Sequence, residues 1–106
     1  MVNRCSNCLT EGEDVFQVVE NRDYFTCKNC QVDYAKNRNG IAFILNEEVN
    51  INGAHPMMNN RIFVIKGIYI FEECESGRMC LLVDKETGRG TKSIYDVNWL
   101  TKINNN

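Results

Sequence analysis

The sequence predicts a mainly β protein with little helix, in which an N-terminal segment folds around a metal ion and a C-terminal segment forms a small antiparallel barrel or meander. Three observations predict it. Two Cys-x-x-Cys pairs, Cys5/Cys8 and Cys27/Cys30, stand 18 residues apart. Short β-branched and aromatic runs recur between turn signals from residue 62 to residue 95. No amphipathic stretch exceeds two helical turns in the 106 residues.

Between the Cys pairs, Val15, Phe16, Val18 and Val19 read as a strand, Glu20-Asn21-Arg22-Asp23 as a turn, and Tyr24 and Phe25 as a strand returning toward Cys27. This order brings the two pairs together. Asn37-Arg38-Asn39-Gly40 is a turn signal and closes a first unit at residues 1–40. Ile41 to Leu45 is apolar and reads as a third strand or a packed link. Residues 46–60 are rich in Asn, hold the only proline, Pro56, and lack periodicity, so 41–60 is a strand and connector.

Residues 61–103 carry denser strand signals. Ile62 to Ile65 and Ile68 to Phe71 are two runs interrupted by Lys66-Gly67. Glu75-Ser76-Gly77-Arg78 turns the chain into Met79 to Val83, and Asp84 to Gly90 turns it again into Thr91 to Tyr95. Asp96 to Leu100 reads as a short helical turn, and residues 104–106 as a frayed tail.

A hydrophobic fraction of 43% with 25% charged residues is ordinary globular usage and argues against wholesale disorder. The formal net charge of −2 does not hide a basic half: residues 1–40 hold five basic and six acidic side chains, and residues 56–106 hold seven and six. Backbone-driven nucleic-acid binding normally needs a strong positive excess. The N-terminus shows no basic region followed by an apolar one, and no run approaches the roughly 20 apolar residues of a membrane helix. The expectation is a cytoplasmic protein with no membrane partner, in which paired cysteines ligate metal instead of forming disulfides.

Two residues between paired cysteines let one tight turn present both sulfurs to a single ion, and a second such turn completes a tetrahedral set. Cys5, Cys8, Cys27 and Cys30 are therefore the expected ligands of one structural Zn2+. A segment of about 40 residues buries too little surface to fold unaided, so the ion is expected to order it. A catalytic zinc does not fit: zinc deaminases place His-x-Glu upstream of the cysteines, whereas the only histidine, His55, lies downstream. A redox Cys-x-x-Cys belongs at the start of a helix in a βαβ unit, which is not the context here. Gly88-Arg89-Gly90-Thr91-Lys92-Ser93 fails as a phosphate loop, because Thr91 separates Gly90 from Lys92. Arg89 and Lys92 remain candidates for contact with a partner. Cys74 and Cys80, either side of the Ser76-Gly77 turn, read first as small strand residues.

On these residues the chain resembles known families. Residues 4–36, with knuckles Cys5-Ser6-Asn7-Cys8 and Cys27-Lys28-Asn29-Cys30, resemble a zinc ribbon. Residues 61–103 resemble the small SH3-like barrels of short phage and bacterial accessory proteins, through Lys66-Gly67-Ile68-Tyr69, the turn at Asp84 to Gly90, and Tyr95 followed by Trp99. One departure is that many ribbons carry glycine after the second cysteine of a knuckle, where this chain has Leu9 and Gln31. The barrel resemblance implies an aromatic ligand groove, for which Tyr69 and Tyr95 are candidates, with Trp99 expected in the core. The functional expectation is a non-enzymatic, zinc-stabilised adaptor or modulator that binds protein, phage-encoded and host-directed as the resemblance suggests. A nucleic-acid-binding module of transcription or translation is the alternative. No small-molecule substrate is inferred.

Overall fold

The computed structural model describes residues 3–18, 24–52 and 61–103, with only the backbone described at Lys92 and Ser93. The first knuckle lies between β1 (Asn3–Arg4) and β2 (Glu11–Gly12), an antiparallel pair. β3 (Phe16–Gln17) pairs with β4 (Phe25–Thr26), so the chain reverses between the two Cys pairs as the sequence indicates. The turn expected at residues 20–23 lies outside the described residues. A 3-10 turn over Lys28–Cys30 leads directly into β5 (Gln31–Val32). β6 (Tyr34–Lys36) and β7 (Ala42–Ile44) then form a hairpin. Asn37 Oδ1 closes its turn by accepting from the amides of Asn39 (2.9 Å) and Ile41 (3.0 Å).

The connector assigned to residues 46–60 is in part a strand. β8 (Glu48–Ile51) buries Val49 and Ile51 while Glu48 and Asn50 stay partly exposed, a two-residue alternation that the surrounding asparagines conceal in the sequence. Residues 53–60, including His55, lie outside the described residues.

β9 (Phe63–Ile70) is a single eight-residue strand where the sequence suggests two. Its partner β10 (Arg78–Asp84) matches Leu82 to Ile65 and Leu81 to Gly67, leaving Lys66 unmatched as a β-bulge. The extra residue explains the burial of Phe63, Ile65 and Ile68 in one core, since the inward face moves from odd to even positions across it. β11 (Gly90–Asp96) follows and pairs with β10. A 3-10 turn at Val97–Trp99 then carries the chain to β12 (Leu100–Lys102), which pairs with β8. The sheet order is β11-β10-β9-β8-β12. The 3-10 turn thus joins the two edges of one antiparallel sheet. This sheet and the three two-stranded pairs, with two 3-10 turns among the described residues, make the protein mainly β, as expected from its sequence.

Strand β9 has two partners on one side: β8 along Phe63 and Val64, and β5 along Ile68 and Tyr69. The bulge separates the two. The N-terminal segment is thereby hydrogen-bonded into the C-terminal sheet. Against that sheet, Val49, Ile51, Phe63, Ile65, Ile68, Cys80, Leu82, Val97 and Leu100 form the main core, and Ala35 and Phe43 of the β6–β7 hairpin contribute to it.

Two carboxylates organise the loops. Asp84 accepts from the amides of Glu86 (2.9 Å) and Thr87 (3.2 Å) and meets Arg61 Nη1 at 2.7 Å, a bond that holds its carboxyl below the usual range. Asp96 caps the second 3-10 turn by accepting from Asn98 N (2.8 Å), and its other oxygen accepts from Ser76 N (3.0 Å). Trp99 departs from its expected place in the core: it is 52% exposed, and Val97 and Leu100 occupy the interior beside it.

Gly67 is required by a close approach. A Cβ there would stand 2.3 Å from the Tyr69 hydroxyl and 2.7 Å from its Cζ, so the Tyr69 ring lies directly over this position. Tyr69 is only 6% exposed and has little room to withdraw. Gly67→Ala should lower stability by about 1–3 kcal/mol in urea titrations. The loss should shrink in a Tyr69→Ala background, where the clashing ring is gone.

Candidate metal centre

Each knuckle is built by short-range hydrogen bonds. In the first, Cys5 N donates to Thr10 O (2.9 Å) and Leu9 N to Cys5 O (3.0 Å), which curls Cys5 to Cys8 into one turn. Ser6 ties this turn to β4, donating its amide to Phe25 O (2.9 Å) and accepting from Phe25 N (3.0 Å). In the second, Cys30 N donates to Cys27 O (3.1 Å) within the 3-10 turn.

The four sulfurs that result lie within 4.8 Å of one another. Cys5 Sγ is 3.7 Å from Cys30 Sγ, and Cys8 Sγ is 3.6 Å from Cys27 Sγ. A tetrahedral ion with metal–sulfur bonds of about 2.3 Å holds its sulfurs about 3.8 Å apart. The donor set therefore fits such an ion, and these four cysteines can hold a metal. All six cysteines are free thiols. Cys5, Cys27 and Cys30 are buried, while Cys8 is on the exposed rim.

The surroundings treat the sulfurs differently. Burial pushes the Cys5 thiol up, but the backbone amides of Cys8, Asn7 and Cys27 outweigh it and hold the thiol below its ordinary value. Cys8 is lowered to about 6, chiefly by its hydrogen bond with the Thr10 hydroxyl (3.1 Å). Burial pushes Cys30 up to about 12. Four sulfurs this close repel one another as thiolates, and a coordinated cation removes that repulsion. Around them the packing is thin. Among the described residues, Val15 is the only buried aliphatic residue in the cluster, with Phe25 and Ile70 at its edge.

Ile70 belongs to β9, so the sulfur cluster sits against the end of that strand. Asn7 adds a polar link: its Nδ2 lies 3.5 Å from Cys30 Sγ, and its Oδ1 accepts from Glu72 N (2.8 Å). Tyr24 meets Phe71 edge-on at 5.3 Å. The sequence carries no spacing signal for Ser6, Asn7 or Thr10; only the closed knuckle reveals their roles.

The residues expected at a partner surface are not brought together. Tyr69 is buried over Gly67, and its amide segment pairs with β5. Tyr95 is half-buried against the main core and lines a groove of 430 Å³ with Cys74, Met79, Ile94 and Trp99. Arg89 is exposed in the β10–β11 turn opposite Asp84, whereas Tyr95 pairs with Cys80, about 13 Å further along β10 at the rise of a strand. Lys92 is in β11, and its side chain lies outside the described residues. Cys74 is half-buried and Cys80 buried; burial raises both thiols, Cys80 to about 12, as befits inert packed cysteines. The exposed Trp99 is the surface residue that sequence reasoning misplaced. No family model matches the chain, and no curated protein or solved structure matches it.

The two positions that depart from glycine behave differently. Gln31 has φ −93° and enters β5 without strain, whereas Leu9 has φ 64°, the left-handed region. Leu9 is 63% exposed, so its side chain contributes little packing to offset that conformation. Leu9→Gly should therefore raise stability by about 0.5–1 kcal/mol in chemical denaturation of the metal-loaded protein. Cys27→Ser should abolish stoichiometric metal binding and collapse the amide dispersion of residues 3–18 and 24–32, read by heteronuclear NMR.

Proposed function

We propose that the chain is a non-enzymatic, zinc-stabilised adaptor that binds a protein partner through the surface around Trp99. Zinc is the ion proposed because four thiolates in a tetrahedral arrangement suit zinc or iron, and zinc is the usual occupant of paired knuckles. Four cysteine ligands leave no position for water or substrate, so the ion's role in this reading is structural. Its scale supports that role: structural zinc contributes about 10–16 kcal/mol in isolated fingers, against about 1.5–3 kcal/mol for burying one side chain such as Val15.

The observation that carries the binding half of the proposal is the exposed Trp99. Large aromatic residues at a groove are the residues most often found to dominate protein–protein affinity. Trp99 borders the 430 Å³ groove on one side and, on the other, a 240 Å³ groove lined by Arg38, Asn52, Glu75 and Asn98. Its backbone is held firmly. Asp96 caps the turn, Asn98 Oδ1 accepts from Arg38 N (2.8 Å), and Trp99 O accepts from Asn52 N (2.6 Å). A turn backbone held in this way loses little freedom on binding, which favours affinity. The resemblance to short phage and bacterial accessory proteins adds to the proposal that the partner belongs to a host process such as transcription, translation or defence.

The test is capture from a cell lysate on immobilised chain, with the native protein and Trp99→Ala compared by quantitative mass spectrometry. A protein enriched on the native chain and lost on the variant is the expected result. Equal recovery on both would remove Trp99 from the proposal. Binding to random DNA or RNA that weakens steeply with salt would favour the nucleic-acid alternative instead.

A further inference from the structure

Resting on the adaptor reading, we propose that the free edge of β6 receives an extended acidic segment of the protein partner. The segment adds to β6 as a strand and sets its carboxylates against Lys36 and Arg78. This surface is distinct from the Trp99 groove and uses different residues.

The backbone argument starts from the hairpin register. Asn37 N donates to Ile41 O (3.0 Å), which makes 37 and 41 a hydrogen-bonded pair. Antiparallel ladders alternate, so the next such pair is Ala35 with Phe43, and Tyr34 and Lys36 turn their N–H and C=O groups away from β7. Ile44, opposite Tyr34, bears this out: its amide donates to Glu47 Oε1 (3.0 Å) and not to β6. Within the described residues, β6 has β7 as its only strand partner. Its outer edge is thus a row of donors and acceptors of the kind that an incoming strand completes.

A 320 Å³ groove runs along that edge, lined by Val32, Tyr34, Ala35, Lys36, Ser76 and Arg78. Tyr34 and Lys36 point to one face of the hairpin and Ala35 to the other, so a groove touching all three follows the strand edge. Its lining holds two cations, Lys36 and Arg78, and no carboxylate, although Asp33 precedes Tyr34 and Asp96 accepts from Ser76 N behind it. Among the described residues neither Lys36 nor Arg78 has a carboxylate within ion-pair distance, whereas Arg38 is paired with Glu75 at 3.3 Å. Arg78 Nη1 donates to Gly77 O (2.8 Å), which holds the guanidinium in place. Tyr34, 59% exposed, and Ile44, 56% exposed, face each other across the hairpin and offer apolar contact beside the cations. These groups suit a strand that alternates acidic and apolar residues. A polyphosphate backbone suits them less, because the whole chain carries a net charge of −2.

The test uses the full metal-loaded chain and a fluorescein-labelled peptide of alternating Glu and Val, followed by anisotropy. The peptide should bind, and both Lys36→Glu/Arg78→Glu and the milder Lys36→Gln/Arg78→Gln should weaken it by about tenfold or more. Lys66→Glu/Lys85→Glu, which alters cations elsewhere, should leave binding unchanged. Amide hydrogen exchange at Tyr34 and Lys36 should slow in the complex, a response that charge attraction alone does not produce. Failure to bind, equal loss in both sets of variants, or unchanged exchange at β6 would overturn the proposal. Preferential binding of an oligo-dT strand at the same groove would overturn it in favour of nucleic acid. Capture of a partner through Trp99 while the peptide fails would reject this surface alone and leave the adaptor reading standing.

Discussion

Four sulfurs held within 4.8 Å of one another are the constraint on which the rest of this architecture depends. As thiolates they repel, and a shared cation turns that repulsion into cohesion. The sequence around them supplies no substitute. Among the described residues, one buried valine, with Phe25 and Ile70 alongside, is the aliphatic and aromatic packing of the N-terminal cluster. The knuckle hydrogen bonds of Cys5, Leu9 and Cys30 shape the turns, but short turns and two-residue strands do not persist alone in water. The ion would supply what the missing core does not.

The consequences extend beyond the knuckles because Cys30 is followed directly by β5, and β5 pairs with β9. Fixing Cys30 fixes where Gln31 and Val32 meet Tyr69 and Ile68. Strand β9 is the common element: its bulge at Lys66 lets one side serve β8 and then β5 while its inward face stays apolar throughout. Asn7 bonding to Glu72 N, and Tyr24 meeting Phe71, reinforce the same junction. The surfaces proposed for binding flank this framework. Trp99 rides on a 3-10 turn tied to three neighbouring loops, and the β6 edge follows closely after β5. In the proposed reading, metal coordination and partner recognition would be linked through backbone pairing instead of through chemistry at the ion.

Much of this was legible in the residues. Cysteine spacing alone singled out the four cysteines that the fold gathers into one cluster able to hold a metal, because two intervening residues leave few ways to place paired sulfurs. The turns at Asn37 to Gly40 and Asp84 to Gly90 followed from side chains and glycines that favour them. β8 was not legible: Val49 and Ile51 alternate correctly, but asparagines on both sides resemble a loop. The continuity of β9 was hidden by its bulge, which breaks the two-residue period that marks a strand. Trp99 was misplaced because size and apolarity predict burial only on average, and here Val97 and Leu100 had already filled the interior. The β6 groove joins Lys36 to Arg78 across distant parts of the chain, a juxtaposition that only tertiary structure creates.

The most direct measurement is metal stoichiometry of the freshly purified, reduced protein by elemental analysis, joined to amide exchange before and after chelation. One zinc per chain is expected, and its removal should expose the amides of residues 3–18, 24–30 and the β5–β9 pairing while the β9–β10 ladder stays protected. Protein that contains no stoichiometric metal, yet keeps the knuckle amides protected, would contradict the account.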